Sequence, residues 1–199
     1  MTMALRIAIA EDEPDVREYL QEVLPRLGHQ VVAAAENGRQ LVEQCRKVHP
    51  DLVITDIKMP GLDGVEASLA INRERQTPVI LISAYHDVDV QSRGEADPIM
   101  AYLIKPVREP DLVAAVSLAM TRFKHLADLG KQADDLRQAL EDRKIIERAK
   151  GAAMKRLNIG ESEAYRRLQR MASERNRKLK DVAAEINQAE EVFQRIEEV

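Results

Sequence analysis

The 199-residue chain has no tryptophan, one cysteine, four tyrosines and two phenylalanines. With aromatics at 3%, its core has to be built from aliphatic side chains. That suits helices stacked on one another or on a sheet. Cys45 has no second thiol to pair with, which excludes an internal disulfide. It falls on the apolar side of a helical pattern and reads as core. No apolar run approaches the roughly 18 residues of a membrane span. The opening "MTMALRIAIAEDEP" reaches acids too early for the apolar region of a signal peptide, so a cytoplasmic protein is expected.

Charge is not scarce, at 32%, and the net −4 conceals an asymmetry. Residues 1–120 carry 12 Lys/Arg against 19 Asp/Glu, and residues 141–186 carry 13 against 8. Residues 187–199 turn acidic again, with one base against four acids. An acidic half followed by a basic segment points to two jobs, the second with a polyanion, although a basic helix face can also be merely solvated.

Short apolar runs at Leu5–Ala10, Val31–Ala35, Leu52–Thr55, Val79–Ser83 and Ala101–Ile104 alternate with helix-period segments. One segment places Val16, Tyr19, Leu20, Val23, Leu24 and Leu27 on one face; the next carries Leu41, Val42, Cys45 and Val48. Five strands alternating with helices predict an α/β fold, a doubly wound five-stranded parallel sheet. Ligands of such sheets bind beyond the carboxyl ends of the strands. That rule selects Glu11, Asp12, Asp56, Ser83 and Lys105. Each alone reads as a turn, cap or surface residue; the ordered series, one strand end after another, gives them a common purpose. Clustered carboxylates repel, so a divalent cation is their natural resident. Magnesium prefers one or two carboxylates plus waters and phosphate oxygens. The backbone carbonyl of Lys58 is a further oxygen in reach, and with metal bound Asp56 can act as a carboxylate nucleophile on phosphorus.

"IAIAEDEP", "LVITDIKMPGLDG", "VILISAY" and "AYLIKP" together resemble the receiver domain of two-component response regulators over roughly residues 4–123. The resemblance implies a flavodoxin-like fold with Asp56 as phosphoacceptor for a partner sensor histidine kinase. It implies Mg2+ held by Glu11, Asp12, Asp56 and the Lys58 carbonyl, with Lys105 on the phosphoryl group and Ser83 and Tyr102 as a switch pair. Any catalysis would be confined to the domain's own phosphorylation and dephosphorylation, so no ordinary enzyme is expected. Glu11 stands where most receivers have aspartate, which implies a metal contact through water. "GEADPIMAY" lacks the usual small run before the last strand, Val107 replaces a common phenylalanine, and the weakly apolar "HDVDVQSRGEAD" leaves a fourth helix unassigned.

From about Pro110 the pattern is helical throughout, with Leu112, Val113, Val116, Ala119, Met120 and Phe123 able to cover the sheet. Leu126, Leu129, Ala133, Leu136 and Leu140 follow coiled-coil spacing, giving a linker over 124–140 that either pairs two chains or packs on its own. Residues 141–199 read as a small three-helix bundle: Glu141–Leu157, stopped near Asn158 and Gly160; Glu161–Arg175, with Ala164, Tyr165, Leu168, Met171 and Ala172 inward; and a third from Lys178 burying Leu179, Val182, Ala183 and Ile186. Its sequence, through "AKGAAMKRL", "EAYRRLQRMA" and "LKDVAAEI", resembles an ANTAR domain. The resemblance implies binding of an RNA hairpin in a transcript leader and transcription antitermination. The candidate RNA contacts are Lys144, Arg148, Lys150, Lys155, Arg166, Arg170, Arg175 and Lys178, with Arg177 and Lys180 beside them. Such cations suit phosphates, whereas RNA sequence is read mainly at exposed loop bases. Tyr165 is either core or a stacking platform. A basic bundle can also enter a DNA major groove, or serve a phosphorylation-controlled adaptor that binds protein.

Overall fold

The computed structural model describes residues 4–84 and 98–197. By contact density the chain divides into two compact units, Met1–Ala127 and Asp128–Val199.

In the first unit the strands β1 (Arg6–Ala10), β2 (Gln30–Ala35), β3 (Leu52–Asp56), β4 (Val79–Ser83) and β5 (Ile99–Ile104) form a sheet of order β2-β1-β3-β4-β5, every pair parallel. The helices are α1 (Pro14–Arg26), α2 (Gly38–Val48), α3 (Gly64–Glu74) and α4 (Glu109–Leu157). Alternation along each strand divides the core in two. Ile7, Ile9, Ile54, Ile80 and Ile82 point to the face covered by Leu20 and Leu24 of α1 and Leu112, Val116 and Ala119 of α4. Ala8, Ala10, Val53 and Leu81 point to the face covered by Leu41 and Cys45 of α2 and Val65 and Ile71 of α3. Full burial of each large aliphatic side chain contributes roughly 1.5–3 kcal/mol.

The five runs named from the sequence are the five strands, and Cys45 is core. Along α4, however, Ala115 is buried where Val113 was expected, and Val113 is 50% exposed. The buried stripe runs through Leu112, Ala115, Val116 and Ala119, spacings of three and four, and Val113 lies off it. The fourth helix left unassigned in "HDVDVQSRGEAD" falls on residues 85–97, outside the described residues.

Residues read as a domain end, a linker and a first bundle helix belong to one helix, α4. Gly130 within it meets nothing that would crowd a side chain. Leu126, Leu129, Leu136 and Leu140 along it are 46–67% exposed. Asn158 ends the helix in the left-handed region, at φ 51°, and Gly160 caps α5 (Glu161–Glu174). α6 spans Leu179–Glu197. Ala149, Leu168 and Ala183 form the centre of the second unit, flanked by Ile145, Ile146, Leu179 and Ile186. Tyr165, one step around α5 from Ala164 and Leu168, is left 40% exposed, which removes it from the core.

Candidate functional site

Strand register sets the level at which each chain emerges from the sheet. Ala10 pairs with Thr55, so Glu11 comes out beside Asp56. Asp56 pairs with Ile82 and Ser83 with Ile104, which puts Ser83 and Lys105 one step farther on. The Lys105–Pro106 peptide is cis, and the Lys105 amide donates to the Ser83 carbonyl at 2.9 Å.

The Asp56 side chain is 9% exposed. Its Oδ1 accepts from the Ile57 amide at 2.8 Å, and its Oδ2 from Lys105 Nζ at 3.2 Å. The same ammonium donates to Glu11 Oε1 at 3.0 Å and to Glu13 Oε1 at 2.8 Å. One lysine thus serves three carboxylates. Glu11 is fully buried and its Oε2 has no hydrogen-bond partner among the described residues. Burial, opposed by the hydrogen bond from Lys105 and reinforced by the charge of Asp56, pushes the Glu11 carboxyl up to about 7. Burial likewise raises Asp56 above the ordinary aspartate value, against the pull of Lys105. Burial works to lower Lys105, yet hydrogen bonds to Glu13 and Glu11 and the charge of Asp56 hold its ammonium above the usual lysine value.

Oxygens of Glu11, Asp12 and Asp56 lie within 4.8 Å of one another. With the orphaned Glu11 oxygen, this hard-oxygen set fits a divalent cation such as Mg2+. Lys58, two residues past β3, is exposed in the following loop. Ser83 is half-buried at the end of β4, and Tyr102 is 39% exposed on β5.

Two local devices hold the loops. Asp63 caps α3 by accepting from the Glu66 amide at 2.7 Å, while Glu66 accepts from the Asp63 amide at 3.3 Å. The Asp63-Gly64 pair is therefore a helix start, with Gly64 packed against the Asp56 backbone. On the other side Arg17 donates to the backbone carbonyls of Glu11 at 2.7 Å and Asp12 at 3.4 Å, and pairs with Glu36 at 3.2 Å. Sequence reasoning missed both Arg17 and Glu13. The available signal was direction: side chains in the first turns of a helix lean toward its N-terminus, here toward the acidic loop.

Two expectations follow. Arg17→Ala should weaken Mg2+ binding about tenfold, as loss of an outer-shell partner does, while leaving secondary structure intact; calorimetric titration with Mg2+ measures it. The second concerns pH. A carboxyl whose folded value is raised contributes stability that is full below the unfolded value and lost as pH rises through the folded one. For Glu11 that window runs from 4.5 to about 7. A divalent cation would bind the ionised form, so any stabilisation by Mg2+ should be larger at pH 8 than at pH 5.5, read as the rise in melting temperature on adding the ion.

In the second unit the candidate contacts divide by environment. Lys150 is 8% exposed and is held between Glu147 and Glu161, the latter at 2.7 Å. Lys144 pairs with Glu141, Arg148 with Glu191, Arg166 with Glu163, and Arg175 with Glu185. Arg177 also pairs with Glu185, and Lys180 with Asp142 at 3.1 Å. Lys155, Arg170 and Lys178 are not buried.

Residues 7–117 match the response regulator receiver domain and residues 134–186 the ANTAR domain; the chain belongs to the response regulators that join these two domains. It is 38% identical over 161 residues to the transcriptional regulatory protein PdtaR of Mycobacterium tuberculosis, covering 81% of this chain and 78% of that protein. It is 34% identical over 141 residues to the regulatory protein AtoC of Escherichia coli, covering 70% of this chain and 30% of that one. Among solved structures it is similar to the signal receiver domain of a modulated diguanylate cyclase from Desulfovibrio desulfuricans G20, with TM-score 0.57, 28% identity, and coverage of 61% of this chain and 98% of that one. It is also similar to a response regulator receiver domain protein from Clostridium thermocellum, with TM-score 0.54, 27% identity, and coverage of 62% and 99%. No helix among the described residues is long and apolar enough to cross a membrane.

Proposed function

We propose that Asp56 accepts a phosphoryl group from a partner histidine kinase and that this event controls binding of an RNA hairpin by the second unit, with transcription antitermination as the output. The observation that carries the proposal is the buried Asp56 carboxylate, joined by Lys105 to a second buried acid that has an oxygen to spare. An Asp56 oxygen attacks phosphorus as the bond from phosphorus to the kinase's histidine nitrogen breaks, and the electron pair leaves with that nitrogen. The Ile57 amide fixes the carboxylate's orientation, and Lys105 turns from the acids toward the transferred oxygens. Glu11, Asp12 and Asp56, with the Lys58 carbonyl, would hold Mg2+, which supplies charge neutralisation on the phosphoryl oxygens. Ser83 and Tyr102 then report the new charge: the hydroxyl moves to the phosphoryl group and the ring, now outward, follows it in. The domain acts as a switch, not a turnover enzyme.

The exposed leucines 126, 129, 136 and 140 support pairing of two phosphorylated chains, which sets two RNA-binding units side by side and gains affinity by multivalency. Incubation with acetyl phosphate and Mg2+ should add one base-labile, hydroxylamine-sensitive phosphoryl group to the wild-type chain and none to Asp56→Asn, read by intact-mass measurement. Equal labelling of the two proteins contradicts the assignment.

A further inference from the structure

α6 does not stop where the ANTAR match stops. The match ends at residue 186, and the helix continues to Glu197 through an acid-rich stretch. Two of its carboxylates reach across to α4. Glu191 accepts from Arg148 at 3.0 Å, and Glu190 from Arg156 at 2.5 Å. The Glu190 side chain is only 14% exposed, and Arg156 also lies over the Phe193 ring at 4.2 Å. Lys155, beside Arg156, adds its charge to the field on Glu190. Asn187, whose amide donates to the Ile145 carbonyl at 2.9 Å, fixes this part of α6 along α4.

A carboxylate seated on an arginine occupies the place a phosphate oxygen would take, with the same charge sign and the same donor geometry. We propose that the α4 face formed by Arg148, Lys155 and Arg156 is a docking surface for RNA phosphates, and that Glu190 and Glu191 fill it in the free chain as an intramolecular stand-in. This rests on the RNA-binding function above and adds its site and restraint. The Arg148–Glu191 pair is exposed, and such pairs are individually weak; at the more enclosed Arg156–Glu190 pair a phosphate replaces the carboxylate with the same charge sign and donor geometry. RNA gains its place by exchanging two carboxylates for phosphates, and the restraint lowers affinity without abolishing it.

The test is a double-mutant cycle on the full chain. Glu190→Gln with Glu191→Gln should tighten binding of a labelled stem–loop RNA about tenfold, since the phosphates no longer displace two carboxylates to reach the arginines. Arg148→Gln with Arg156→Gln should weaken binding. In that doubly substituted background the same glutamate substitutions should yield little or no gain, because the two arginines they cover are gone and only Lys155 remains nearby. An equal gain in both backgrounds would mean a general effect of net charge and would overturn the proposal. Circular dichroism checks that all four proteins keep their helices. Running the same cycle on a heparin column separates the two claims. Coupling on heparin with no RNA bound by any variant supports the masked anion surface and contradicts RNA as its partner. Absence of coupling on both probes overturns the surface itself.

Discussion

Gly64→Ala is expected to lower the melting temperature of the receiver unit by about 5–15 °C, through an overpacking cost of roughly 1–3 kcal/mol, and to cut phosphoryl acceptance at Asp56 more than tenfold. A Cβ at this position would lie 1.9 Å from the Asp56 carbonyl oxygen, 2.9 Å from its carbon and 3.1 Å from Thr55 Oγ1. The two nearest obstructing atoms are backbone at the end of a fully buried strand, so rotating a side chain cannot relieve the clash. Either α3 retreats, breaking the 2.9 Å hydrogen bond from the Gly64 amide to the Ile57 carbonyl, or β3 is pushed and Asp56 with it. Gly130→Ala is the control, since a Cβ there meets nothing within 4 Å; it should stabilise α4 by about 0.5–1 kcal/mol. Thermal melts and acetyl-phosphate labelling of both variants measure these effects. A Gly64→Ala protein that melts and labels like wild type contradicts the packing assigned to this loop.

Lys105→Met should be the most pH-sensitive substitution in the protein. It strips the cation from Glu11 and Asp56, whose side chains are 0% and 9% exposed. Removing one partner of a fully buried pair costs about 3–5 kcal/mol, and roughly 2–3 kcal/mol is expected here because Glu11 can take up a proton. That escape sets the sign. With lysine present the Glu11 carboxyl already sits at about 7, and without it the value rises further. At pH 6 the variant protonates Glu11 and loses little; at pH 8 it must ionise a buried acid or hold a proton against the solvent, and it loses most. Mg2+ should restore more stability to the variant than to wild type at pH 8. Urea unfolding at the two pH values, with and without Mg2+, decides it. A stability loss equal at pH 6 and pH 8 would show that Lys105 does not compensate these carboxylates.

What was legible in the sequence, and what was not, follows from the same physics. Parallel strands buried on both faces read as uninterrupted apolar runs, and their common register makes the residue after each run a neighbour of the next. Asp56, Glu11 and Lys105 could therefore be brought together before any coordinates. Glu13 and Arg17 escaped because a charge in the first turns of a helix looks the same whether it faces water or leans back over a loop. Val113 and Tyr165 were placed inward because each follows a buried residue directly, and one step along a helix turns the side chain by about 100°. The partners of Arg148 and Arg156 lie about 40 residues away on another helix, a separation that periodicity along one element does not reveal.

The measurement that bears most directly on the account is a gel shift of a leader RNA hairpin with the full chain, with and without acetyl phosphate and Mg2+, comparing wild type with Asp56→Asn. The account predicts that the phosphodonor strengthens binding by the wild-type chain and leaves Asp56→Asn unchanged. Binding of equal strength in all four conditions would contradict control of RNA binding by Asp56.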